Sequence, residues 1–93
     1  MATQLHVELV AVEEEVWSGE VEMVSARTTE GDLGILAHHA PLLGQLADPG
    51  DVRLKINEDE TLAYVVNGGF LSVTEEGVTI LAESCEPASE STI

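Results

Sequence analysis

The feature that most constrains this chain is an alternation of apolar and polar residues with a period of two. In DVRLKIN, Val52, Leu54 and Ile56 fall on one side, and Asp51, Arg53, Lys55 and Asn57 on the other. Successive side chains point to opposite faces in an extended strand, so this spacing predicts half-buried β-strands. The same period groups Leu5, Val7, Leu9 and Ala11 in LHVELVAV, Val78, Ile80 and Ala82 in GVTILAE, and Val21 with Met23 in EVEMVS. No window of helical length carries a helical stripe. The run of Glu13, Glu14 and Glu15 can open a helical turn, but Val16-Trp17-Ser18-Gly19 closes it at once.

Turn signals separate these segments at short intervals. EGDLG carries Gly31 and Gly34, and ADPG sets Pro49 before Gly50. NEDE (57–60) and EEG (75–77) read as hairpin loops. The glycines of NGG (67–69) suit a tight turn or a bulge. Many short strands with no helix predict an all-β, antiparallel sandwich or barrel. The alternation stops after Ser84, and CEPASESTI is small, polar and acidic. The expected organisation is one folded domain over 1–84 and a short disordered acidic tail over 85–93.

Composition narrows the function. The 93 residues leave room for a single core. Trp17, Tyr64 and Phe70 are the only aromatics, so that core must be Val, Leu, Ile and Ala, a poor material for a deep aromatic ligand pocket. Eighteen acidic residues against three basic ones (Arg27, Arg53, Lys55) give a formal net charge of −15. Such a surface repels nucleic-acid backbones and anionic lipid alike, so neither nucleic-acid binding nor direct lipid insertion is expected. The single cysteine, Cys85, forms no internal disulfide, which fits a reducing compartment. The N-terminus MATQLHVELV lacks a signal-peptide pattern, and no apolar run is long enough to span a bilayer. The expectation is a soluble, cytoplasmic domain.

No catalytic set emerges. His38 and His39 are the most reactive-looking pair, and Asp32 or Glu30 could supply a third ligand. On a strand, however, neighbours point apart, and no metal-binding motif spacing is present. None of the serines sits in a Gly-x-Ser-x-Gly setting, and Cys85 lies where the pattern ends. The glycines at 67–69 lead to no lysine or helix start, so they form no phosphate loop. No catalytic residue, cofactor or metal is expected. A binding module, a small metal enzyme centred on Asp32, His38 and His39, and a docking surface around 31–43 remain the alternatives.

TTEGDLGILAHHAPLLGQL, followed by VNGGFLSVTEEGVTILAES, resembles the N-terminal domain of the epsilon subunits of F-type ATP synthases. The features that match are Gly31, Asp32, Gly34, Ile35, His39, Pro41 and Leu42, then Gly68, Gly69 and Phe70 leading into Leu71 and Val73, then VTILAES. VWSGEVEMV (16–24) fits an early segment of the same family, and the match spans about residues 4 to 84.

The resemblance implies a flattened sandwich of two five-stranded sheets. It also implies a non-catalytic rotor subunit that docks the gamma subunit onto the polar loops of the c-ring and couples proton translocation to ATP synthesis. Such a subunit lies at the cytoplasmic face of the cell membrane as a peripheral part of the complex. Glu30, Gly31 and Asp32 correspond to the c-ring edge, and His39, Leu42 and Gly44 to the gamma side. Leu42 and Leu43 could equally be core, and Gly34 could serve only its turn. The sequence departs from the family at Ala37, where proline is common, and shows no pattern for the C-terminal helices that regulate many members. Helix-borne inhibition and ATP sensing are therefore not expected of it.

Overall fold

Among the described residues eight β-strands follow one another: β1 (Leu5–Ala11), β2 (Glu14–Val21), β3 (Met23–Thr28), β4 (Gly31–Leu36), β5 (Leu42–Gln45), β6 (Gly50–Asn57), β7 (Glu60–Thr74) and β8 (Gly77–Pro87). They come from a computed structural model that describes residues 4–12, 14–36 and 40–87. Among the described residues there is no helix. The ladder runs β2-β1-β8-β7-β6-β3-β4, with β5 pairing on β7. Among the described residues every strand pairing is antiparallel except that of β1 with β8, the first and last of these strands, which lie side by side and parallel.

β7 and β8 are long because they pass through two arms of the sheet. Residues 69–74 of β7 pair with β5 and with 77–82 of β8, which continues to β1 and β2. Residues 60–66 of β7 pair with β6, which continues to β3 and β4. Between the arms the inward positions change parity. Leu62, Tyr64 and Val66 face the core on one side, Leu71 and Val73 on the other. The change falls at Gly68 and Gly69, with φ of 74° and 121°. A Cβ on Gly69 would lie 2.0 Å from the carbonyl oxygen of Leu81, so conformation and space both require glycine there.

The two arms bury one common core. Leu5, Val7, Leu9, Val21, Leu71, Val73, Val78, Ile80 and Ala82 come from the first arm, and Val24, Ala26, Ile35, Val52, Leu54 and Val66 from the second. Burying each such aliphatic side chain contributes about 1.5–3 kcal/mol, set against the entropy of ordering it. No polar or charged residue is buried among them. Trp17 closes the edge of the core, its ring over Gly19, where a Cβ would come within 2.8 Å of it.

Several expectations change. The all-β fold is as expected, and the eight described strands are joined in one hydrogen-bonded ladder because β7 and β8 serve both arms. NGG is a kink inside one strand, not a turn between two. EGDLG turns only at its start; Gly34 lies within β4, opposite Ser25. Val21 is buried but Met23 is not, because the chain changes arm at Glu22 and the alternation restarts from Val24. The tail boundary also moves. Cys85, Glu86 and Pro87 extend β8 and pair with Val66, Val65 and Tyr64, so the strand passes Ser84; the unpaired edge of β7 captures residues too polar to look like strand.

Candidate functional site

The tip of the β3–β4 hairpin is built from Thr28 to Gly31. The Thr28 hydroxyl donates to the Gly31 carbonyl at 2.8 Å and accepts from the Glu30 amide at 3.2 Å, holding the turn from within. Gly31 has φ of 125° with open space where a side chain would stand, so conformation alone selects glycine. Asp32 points outward, its carboxylate 3.3 Å from Nε of Arg27 across the hairpin. Both side chains are largely exposed, so the pair stabilises the hairpin little. A partner's cation can therefore join or displace Arg27 at small cost.

Strand β5 lies beside this turn. The Thr29 amide donates to the Gln45 carbonyl at 3.0 Å, and the Ala47 amide to the Arg27 carbonyl at 3.0 Å. The Leu46 amide donates to Gly69 at 2.9 Å, tying the same segment to β7. Leu42 packs partly on the core, whereas Leu43 is 73% exposed, so the two leucines divide between core and surface. Together the turn and β5 enclose a groove of about 450 Å³ whose walls include Glu30, Gly31, Asp32, Leu42 and Gly44. Residues expected to face two different partners thus line one groove. His39, expected on the gamma side, lies outside the described residues, as does His38. Among the described residues no group of three potential metal ligands occurs. Cys85 is half-buried, and burial, followed by the charge of Glu86, pushes its thiol above the usual range, which disfavours a reactive thiolate.

The sequence reading missed an apolar row on the outer face of the first arm. Val10 pairs with Leu81, Leu81 with Phe70, and Phe70 with Gln45. Phe70 is 51% and Leu81 47% exposed, and Val12 beyond them is 69% exposed. A second groove, about 420 Å³, runs along this row and shares Thr29 and Gln45 with the first. The signal was available. Phe70 and Leu81 alternate against Leu71 and Ile80, so period two sends them outward once those neighbours are assigned to the core. Exposed apolar residues in register on so acidic a molecule make this face a candidate docking surface.

The family described as ATP synthase, delta/epsilon chain, β-sandwich domain matches residues 4–88. The ATP synthase epsilon chain of Mycolicibacterium vanbaalenii is 53% identical over 87 residues, covering 94% of this chain and 72% of that one. That of Mycobacterium tuberculosis strain H37Ra is 52% identical over the same length and shares. A chain of the Euglena gracilis mitochondrial ATP synthase, solved with its c-ring, superposes with a TM-score of 0.83 at 28% identity. The match covers 90% of this chain and 53% of that one, about half its length. A chain from the central stalk and c-ring of the Tetrahymena thermophila mitochondrial enzyme shares the fold, with a TM-score of 0.73 at 18% identity over 89% of this chain and 66% of that one.

Proposed function

The chain belongs to the ATP synthase delta/epsilon family, and on that premise we propose that it is a non-catalytic subunit of the central stalk of an F1Fo ATP synthase, docking the gamma subunit to the c-ring. The observation that carries this reading is the surface from the hairpin tip at 28–33, along β5, to the exposed Phe70 and Leu81, with the partly exposed Val10 in register beside them. A rotor part needs an apolar area to hold one partner and a polar tip to meet another, and this surface offers both. Phe70, Leu81, Leu42 and Gly44, with His39, bear on gamma. Glu30, Gly31 and Asp32 bear on the polar loops of the c-ring, where Asp32 meets a cation in a charge-assisted contact. The two arms act as five-stranded layers that share β7 and β8. Attachment to the cytoplasmic face runs through these partners; among the described residues no helix is long and apolar enough to cross a membrane.

The test is co-expression with the gamma subunit of the same organism, followed by size-exclusion chromatography. Co-elution at equal stoichiometry is expected, with loss of the complex when Phe70→Asp and Leu81→Asp are combined. Separate elution of two folded proteins would leave an acidic β-sandwich adaptor as the better reading.

A further inference from the structure

His6 stands on the outer face of the first arm, on the same side of β1 as Val10. Its Nδ1 lies 2.9 Å from a carboxylate oxygen of Glu20 on β2, and its Nε2 lies 3.3 Å from one of Glu8 on its own strand. A neutral imidazole has one N–H; its other nitrogen would present a lone pair to a carboxylate. Only the imidazolium can donate to both, so this geometry belongs to the protonated ring. The surroundings reinforce the point. Two grooves meet at His6, and the titratable groups on their walls are Glu8, Glu20, Glu75 and Glu76, with no lysine or arginine. Underneath, β8 comes so close that a Cβ on Gly77 would lie 2.2 Å from the His6 carbonyl oxygen, which fixes the backbone carrying the ring.

We propose that His6, clasped between Glu8 and Glu20, is a proton-operated switch on the gamma-docking face. Protonated, it ties the edge strand β2 to β1 and neutralises part of the acidic rim beside the apolar row. Deprotonated, it leaves Glu8 and Glu20 uncompensated at a boundary that the partner must partly dehydrate, and docking weakens. The hydrogen bonds to Glu20 and then Glu8 raise the His6 pKa above its ordinary value, so the clasp stays closed to a higher pH than a histidine without these partners would allow. This regulation rests on the docking reading above.

The test pairs two measurements on the full chain. The first follows the His6 ring proton by NMR across pH, assigned by its loss in His6→Gln. The midpoint is expected to fall in Glu20→Gln and, by less, in Glu8→Gln; an unchanged midpoint in both overturns the clasp whatever happens to binding. The second titrates the gamma subunit between pH 6 and 9. Affinity of the native chain is expected to fall about two- to five-fold through the His6 midpoint, the range of an exposed ion pair, while His6→Gln shows no such step. A flat or rising profile, or the same step in His6→Gln, overturns the switch. Absence of gamma binding at every pH would sink the docking reading and the switch with it, even if the NMR midpoints move as expected.

Discussion

On the outer face of the first arm, β1 and β2 display His6, Glu8, Glu15 and Glu20 around the row of Val10, Leu81 and Phe70, without a lysine or arginine. On the outer face of the second, β3 and β6 display Arg27, Arg53 and Lys55, the whole basic complement of the chain. The inner faces of the same two arms show no such contrast: both are Val, Leu, Ile and Ala, and they enclose one core. Inward positions answer to packing, which accepts similar aliphatic residues in either arm. Outward positions are free of that demand, so a difference between the outer faces reports what each is meant to meet.

The comparison can be broken first at the crossover that joins the arms. Gly69→Ala is expected to destabilise the chain by on the order of 3–5 kcal/mol, because a strained φ and a backbone clash coincide there. Gly31→Ala, with the strained φ but open space, should cost about 1–2 kcal/mol. Urea denaturation midpoints measure both, and equal costs would mean the close approach at Gly69 is not what the arms depend on. Next come the inner faces. Leu9→Ala in the first arm and Leu54→Ala in the second should each cost about 2–5 kcal/mol. If one arm were much more tolerant, the shared core would be the wrong description.

The outer faces then separate by binding. Combining Phe70→Asp and Leu81→Asp should weaken gamma binding at least about tenfold. Arg53→Glu with Lys55→Glu on the opposite face should change it less than about twofold, and both doubles should keep stability within about 0.5 kcal/mol per site. Equal losses in isothermal titration would erase the distinction between the faces. Asp32→Lys should change stability by less than about 1 kcal/mol, since it breaks only an exposed pair with Arg27. It should weaken attachment to the membrane sector more than attachment to gamma, as read by pull-down at low salt. The smallest effect belongs to His6. Its pKa is raised in the folded state, so its stabilisation is complete below about pH 6.5, the ordinary histidine value. That contribution is lost as pH rises through the raised pKa. A melting-temperature profile of the native chain should lose stability across that window, and His6→Gln should not.

Much of this could be read from residue order. Val7 and Leu9, Val52 and Leu54, and Val78 and Ile80 are buried as their alternation requires, and the hairpins at 57–60 and 74–77 turn where acidic and glycine residues mark them. Of the candidate site, Glu30, Gly31, Asp32, Leu42 and Gly44 were singled out by resemblance, but not that they line one groove. That depends on the Thr29 and Gln45 hydrogen bond between segments separated by β4 and a connection. The apolar row was hidden for a different reason. Phe70 and Leu81 look like core in any count of hydrophobic residues, and only the burial of Leu71 and Ile80 turns them outward.

Residue order alone was enough to mark the segments 5–9, 52–54 and 78–82 as extended and to say which of their sides is apolar, because both follow from the period-two geometry of one strand and need no partner. Tertiary structure alone decided which strand lies beside which, where β7 and β8 pass from one arm to the other, and that β8 runs on to Pro87. Those outcomes depend on hydrogen bonds and close approaches between residues far apart in the chain, such as Gly69 against Leu81 and Gly77 against His6, and no local pattern encodes a distance across the fold.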